Sequence, residues 1–574
     1  MAEAVSAGAA TDDEQIERAD GRVELREGVV LDDPALCNED LAPTKVASRT
    51  WSTYTFAALW ISMAHCIPTY MLAAGLISAG MNWRQALTTI LIGNVIVLAP
   101  ILANSHPGTK YGIPFPVFAR ASYGVFGANV PAVMRAIVAC GWFGINAWIG
   151  GQALQTFFRS LWPGWQTLLG GLTAGPNEPG GSWIFGGHYP TEWVSFLLFW
   201  ALNILIVYKG MELVRKVENL AAPYVLVMTA LLVWWAVSEA GKVCGDRPGC
   251  SGLGSIVQDE GKFKTFGEFW PVFVPSVTAM IGFWSTLSLN MPDFTRFGRS
   301  QREQAVGQVV ALPTTMTVFA MMGIVITSAS AVIYGKAIWD PVELVGRFEN
   351  RLVVAISMFT VVVATLGVNI AANVVSPAND FANIKPGKIS FKTGGLITGV
   401  LGAFMLPWKL IADPNGYIFK WLLGYSGGLG SIAGVLVADY WLVRDTRLRL
   451  ADLYRREGAY AYGGAPGQAG RGPGVNGKAI VATLLGCALA WVGLVVPALA
   501  VLYDYAWSRA GLYAPRWAVA LSNRGGYCPR LPLGVRDALA EGREAGVNTD
   551  TSPSVGRAPR AFRRGTRESR GGRR

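Results

Sequence analysis

The sequence predicts an all-α polytopic membrane protein whose helices form two halves of five, and three observations carry that expectation. Charged residues make up only 15% of 574 positions and hydrophobic residues 52%, against roughly 25% charged in soluble domains. Eleven apolar runs recur along the chain, most approaching the roughly 20 residues that cross a bilayer. Helix breakers interrupt the first and the sixth of these runs. The mean hydropathy of +0.34 agrees, and 21 Trp with 68 Gly suit interfacial belts and close helix contacts. A disordered, fibrous or ordinary cytosolic chain is excluded.

The expected spans are 56–79, 86–103, 130–154, 193–207 and 221–237, then 272–289, 309–333, 352–375, 395–411 and 418–443, with an eleventh at 479–502. Polar Gly/Pro-rich connections separate them, the longest at 241–270 and 450–477. Residues 1–50 hold 12 acidic and 5 basic side chains and are expected as a disordered acidic cytoplasmic tail. Residues 51–507 form the transmembrane core. Residues 508–574 are an atypical Arg/Gly-rich tail, and no apolar run of about 18 residues follows Leu502 to make a twelfth helix.

The net charge of +11 is not a nucleic-acid footprint. The N-terminal 50 residues carry −7 and residues 541–574 carry +5, which leaves +13 spread over short loops. Lys and Arg favour the loops that hold Arg296, Arg299, Lys385, Lys388, Arg444 and Arg447, which places the N-terminus in the cytoplasm. No charged segment followed by an apolar one opens the chain, so no cleavable secretory signal is expected, and the acidity disfavours a transit peptide. Of the seven cysteines, Cys66, Cys140 and Cys487 lie in apolar runs as small buried thiols. Cys244 and Cys250 flank a tight turn on the outer side, where a disulfide is permitted.

The two breaks direct attention to a site. Span one reads SMAHCIP over 62–68, and Pro68 removes a backbone donor and clashes with the preceding turn. Span six reads MIGFWST over 280–286, with Gly282 as its weak point. Interrupted spans at matching positions of two halves point to an inverted repeat with a binding site at the midplane. The plainer alternative is a pair of kinks in packed helices.

No soluble-enzyme constellation accompanies them. The chain has three His and neither a Walker sequence nor paired CxxC motifs. Aromatic and amide residues inside spans stand out instead. Trp142 and Asn146 are four apart in span three, Phe283 and Trp284 lie at the break of span six, and Asn369 and Asn373 are four apart in span eight. Two indoles can sandwich a planar ring at about 1–3 kcal/mol per stacked face, and a carboxamide offers donor and acceptor to an imide edge. Packing of each Trp and an interhelical bond between amides are the structural alternatives.

At these residues the chain resembles the nucleobase–cation symporter-1 family of hydantoin, allantoin, purine and uracil carriers. The blocks that carry the resemblance are PGTKYGIPFP at 107–116, GWFGINAWIGG at 141–151, NMPDFTRF at 290–297 and NIAANVVSPAND at 369–380, within roughly 38–507. The resemblance implies a five-plus-five inverted repeat with one or two further helices, 11–12 in all, working by alternating access. It makes Trp142 and Trp284 the stacking pair and Asn373 the amide that binds the ring. Asn146 stands where the hydantoin carrier has glutamine, and Gln152 in the same helix is a further candidate.

The coupling ion follows from the same carry-over. Sodium-coupled relatives are expected to use carbonyls freed in span one, near His65 and Cys66, and hydroxyls in span eight. Gly367 and Val368 occupy the hydroxyl positions here, with Ala364 at the carbonyl donor. A hard cation needs several oxygen ligands, and neither residue supplies a side-chain oxygen. Proton coupling is therefore the expectation, with sodium the alternative. The reading is a carrier importing uracil, a purine base or allantoin, with no cofactor, no bound metal and no nucleic-acid partner. Its place is the plasma membrane or an organelle envelope. A channel wants a polar pore throughout and a membrane enzyme wants clustered His or carboxylates, and the spans provide neither.

Overall fold

The structure, a computed structural model, describes residues 14–507 apart from 176, 210, 246–260, 337, 339, 411–420 and 464–471, and the side chains of 211–222 are likewise outside the description. Nine described helices are long and apolar enough to cross a membrane, and the bent pair Thr53–Ala64 (α1) and Ile67–Ser78 (α2) makes ten if counted as one span. The axes of α1 and α2 diverge by 57°. Between them His65 leaves the helical region and Cys66 is extended, and Pro68 sits in the first turn of α2, where its missing N–H costs nothing. The break expected in span one is thus where Pro68 placed it.

Trp83–Tyr111 (α3) begins on a capping box between Asn82 and Gln85 and ends on Gly112, whose φ is +70°. A Cβ there meets Arg49 Nη2 at 2.5 Å and the Thr44 carbonyl at 2.6 Å, so this turn takes glycine for space as well as for φ. The buried helix Phe115–Tyr123 (α4) leads into Asn129–Leu161 (α5), then Pro190–Lys209 (α6) and Met211–Gly245 (α7). The second half holds Phe266–Phe283 (α8), Gln301–Tyr334 (α9), Arg351–Asn373 (α10) with its continuation Val375–Ile384 (α11), and Phe391–Phe404 (α12). Leu423–Val437 (α13) and Gly477–Val495 (α14) follow. The ninth expected span is the short helix α12, 14 residues long, which stops before Leu406 in the left-handed region and Pro407.

The break in span six also matches expectation. α8 stops at Phe283, residues 284–286 form a turn, and a short helix resumes at Leu287–Asn290. α10 packs along α5, and α12 crosses α5 through glycine. A Cβ at Gly144 meets the Gly402 carbonyl at 2.3 Å, and one at Gly402 meets the Cys140 carbonyl at 2.6 Å. Small residues thus let the two backbones touch where no hydrophobic drive between helices exists in lipid.

The first 50 residues need correction. Residues 14–50 are folded, with an antiparallel pair Gln15–Glu17 (β1) and Val23–Leu25 (β2) and with Val23, Leu36 and Leu41 buried. The acidic groups are paired as well. Arg455 makes two bonds to Glu14 at 2.7 and 2.8 Å, and Arg456 makes two to Asp33 at 2.7 and 3.0 Å. These bonds hold both carboxyls below the usual carboxylate range. Buried Arg49 donates to the carbonyls of Val23, Thr44, Thr109 and Lys110. Composition alone read this segment as solvated because its basic partners lie at the far end of the chain. Residues 1–13 and the tail 508–574 lie outside the described residues. Cys244 is disulfide-bonded, and Cys250 also lies outside them.

Candidate functional site

A cavity of about 330 Å³ lies where α5 and α10 pass the two breaks. It gathers Trp142 and Asn146 from α5, Phe283 and Trp284 from the break of span six, Val368 and Asn373 from α10, and Cys66 from the break of span one. Each break brings a backbone turn rather than a continuous helix wall to the cavity, which is tolerated in lipid only where protein surrounds it.

The aromatic arrangement is more specific than two facing indoles. Phe283 meets Trp142 edge to face at 5.3 Å and 83°, and meets Trp284 at 4.8 Å and 86°. Trp60 braces the far side of the group, at 5.1 Å and 83° from Trp284. Trp142 Nε1 donates to the Tyr425 hydroxyl at 3.1 Å, and that hydroxyl donates to the Gly282 carbonyl at 2.9 Å. The Gly282 carbonyl, which also accepts the Ser285 N–H at 3.0 Å within the turn, is thereby tied to the indole through α13.

The amides present oxygens. Asn146 Nδ2 donates to the Trp142 carbonyl at 3.1 Å, while Asn146 Oδ1 and Trp284 Nε1 are buried with no hydrogen-bond partner among the described residues. Asn203 Nδ2 donates to the Phe199 carbonyl at 2.8 Å, Asn369 Nδ2 to Asn203 Oδ1 at 3.2 Å, and Asn373 Nδ2 to Asn369 Oδ1 at 3.1 Å. This chain of bonds uses one of the two Asn373 N–H donors within the protein, while Asn373 itself lines the cavity. Asn369 therefore orients Asn373 and does not line the cavity itself.

The remaining expected residues separate. Gln152 lies in a larger second cavity, where its Nε2 donates to Glu192 Oε2 at 3.1 Å, so it is not part of the central group. Six residues along α5 from Asn146 is about 9 Å of rise and about 240° of turn, enough to place it elsewhere. His65, Cys66 and Ala364 share a third cavity of about 570 Å³ with Thr229, Thr360 and Thr365. His65 Nε2 bonds the Thr229 hydroxyl. Val368 lines the central cavity instead, and Gly367 is buried in α10 without lining any of the three. The coupling-ion residues thus do not converge on one point. Two carbonyls at the break accept hydrogen bonds, Ala64 O from the Thr69 hydroxyl at 2.8 Å and Cys66 O from the Thr69 N–H at 3.0 Å.

A buried ion pair went unrecognised in the sequence. Arg135 of α5 and Asp380 of α11 are fully buried and 3.7 Å apart, and Arg135 Nη2 also donates to the Ala372 carbonyl at 3.3 Å. The signal was present, since a lone Arg inside an apolar span is costly without a partner. Nearby, Asp293 Oδ1 accepts from the Phe115 N–H at 3.0 Å and from Asn379 Nδ2 at 3.2 Å. These bonds join the sequence blocks at 107–116, 290–297 and 369–380.

A family model described as permeases for cytosine/purines, uracil, thiamine and allantoin matches residues 43–508. An allantoin permease of Bacillus subtilis is 43% identical over 474 residues, which are 82% of this chain and 90% of the relative. A purine-uracil permease of Arabidopsis thaliana is 39% identical over 74% of this chain and 66% of its own length. In fold, the chain is similar to Mhp1, a nucleobase–cation symport-1 family transporter solved in a closed conformation with bromovinylhydantoin bound. The TM-score is 0.66 at 23% identity, over 86% of this chain and 98% of that one. The inward-facing conformation of Mhp1 matches at 0.64. With the broken spans, the family match and the relatives agreeing, the chain belongs to the nucleobase–cation symporter-1 family of permeases and is an integral membrane transporter, not an enzyme.

Proposed function

We propose that this transporter imports a planar, N–H-rich heterocycle, with allantoin first and uracil and the purine bases next, by proton-driven alternating access in the plasma membrane. The observation that carries this reading is the polarity of the central cavity. Two carboxamides, Asn146 and Asn373, and the Trp284 indole line it among aromatic rings, and Asn146 Oδ1 and the Trp284 N–H are buried with no partner among the described residues. Such a set asks for a ligand with ring N–H donors and a carbonyl acceptor, the edge of a ureide or imide. The similarity to an allantoin permease across 82% of the chain supports placing allantoin first.

The proton is favoured because the span-eight positions Gly367 and Val368 carry no side-chain oxygen for a hard cation. The buried carboxylate of Asp380 supplies a protonatable group inside the core. Sodium coupling is the second reading, and the hydroxyls of Thr229, Thr360 and Thr365 around His65 are what favours it. The test is uptake of radiolabelled allantoin, uracil, adenine, guanine, cytosine and hydantoin into cells producing the protein. Saturable uptake of at least one ring, highest for allantoin, is the expected result. Uptake of none of them overturns the proposal.

A further inference from the structure

Helix α5 carries the same pair of side chains twice. Trp142 and Asn146 are four residues apart, and six residues on, Trp148 and Gln152 repeat the spacing of indole and carboxamide. The first pair lines the central cavity and the second lines the larger one, about 1220 Å³, which the loop-charge bias puts on the outer side. We infer that the outer cavity is a second binding site for the same planar ureide or nucleobase, a capture site loaded before the ring descends to the central cavity. This inference rests on the transport reading above.

The outer cavity has what such a ring needs. Its wall is aromatic, with Trp148 5.5 Å from Trp408 and 4.9 Å from the His188 ring. Glu192 Oε2 accepts from both His188 Nδ1 at 2.8 Å and Gln152 Nε2 at 3.1 Å. The Gln152 carboxamide and the Glu192 carboxylate both line the cavity, so acceptor groups are at hand for ring N–H donors. The Trp408 N–H is buried and unpartnered among them, a donor for a ring carbonyl. The carboxylate, with its His188 bond, sits where an amide-rich ligand arrives from the outer side, and its charge strengthens each N–H bond it accepts. The two pairs on α5 are offset by about 9 Å, too far for one small ring to engage both. They are separate sites.

The test places a cysteine in the outer cavity, Thr156→Cys, and measures its modification by a membrane-impermeant maleimide, with unmodified protein as the background. Allantoin at ten times its dissociation constant should slow the reaction about tenfold, as single-site occupancy requires, and uracil serves as a parallel probe. The slowing should persist when Asn373→Ala cripples the central site, and should disappear with Gln152→Ala or Glu192→Gln. Protection that vanishes with Asn373→Ala overturns the outer site while leaving the central one standing. So does protection that survives both Gln152→Ala and Glu192→Gln, or no protection at all in a Thr156→Cys protein that still takes up allantoin. Absence of uptake of every ring by the unmodified protein instead overturns the transport reading itself.

Discussion

The orientation of Asn373 is the feature of the central cavity most exposed to experiment. Its donor is held by Asn369, Asn369 is held by Asn203, and Asn203 is anchored on the Phe199 carbonyl. On the proposed reading Asn373→Ala removes an acceptor for the ligand, and leaving a buried ring N–H unpaired costs about 1–3 kcal/mol. At about 1.4 kcal/mol per tenfold, the apparent half-saturation concentration should rise between about 5-fold and 150-fold. Asn369→Ala leaves Asn373 in place but frees its amide to rotate, a loss of about one ordinary hydrogen bond, 0.5–1.5 kcal/mol, or roughly 2- to 10-fold. If Asn369 works through Asn373, the double variant should bind no worse than Asn373→Ala alone, so the coupling should equal the whole Asn369 effect. The assay is concentration-dependent uptake, with surface abundance measured in parallel. Additive losses in the double variant, or a larger loss from Asn369→Ala than from Asn373→Ala, would refute the positioning role.

Four further outcomes are expected. Trp142→Ala or Trp284→Ala should abolish saturable uptake at near-normal surface abundance, and wild-type kinetics in both would remove the aromatic site. Replacing external Na⁺ with choline should leave initial uptake nearly unchanged, whereas a protonophore or Asp380→Asn should suppress accumulation; strong sodium dependence would favour the hydroxyl group around His65. Gly112→Ala should lower the melting temperature, because the new methyl strikes Arg49 and the Thr44 carbonyl at a left-handed φ, an effect of about 1–3 kcal/mol; an unchanged melting curve would count against it. Burial pushes the outer-loop Asp340 carboxyl up to about 6, so its stabilising contribution is complete below the ordinary carboxylate pKa and is lost as pH rises through that value. Lowering pH from about 7 to about 5 should then stabilise the wild type more than Asp340→Asn, and equal shifts in melting temperature would contradict this.

What the sequence by itself determined is local. A run of apolar residues commits its backbone to a helix in lipid, so the spans could be read in order. Pro68 and Gly282 weaken the helix locally and mark where spans one and six break. A four-residue spacing puts Trp142 with Asn146, and Asn369 with Asn373, on one helix face. Those facts, with the four sequence blocks, were enough to assemble Trp142, Asn146, Phe283, Trp284 and Asn373 at one cavity. What only the tertiary structure decided is which distant groups meet. Gln152 looked like a member of the central group until its turn around α5 placed it beside Glu192. Gly367 and Val368 are adjacent in sequence, but adjacent helix positions point about 100° apart, and only Val368 reaches the central cavity. The Arg135–Asp380 pair and the contacts of Glu14 and Asp33 with Arg455 and Arg456 join residues hundreds of positions apart. A buried charge is tolerated only with its partner, and an acidic segment folds only onto a basic surface. Both depend on neighbours that the chain supplies by folding, not by order.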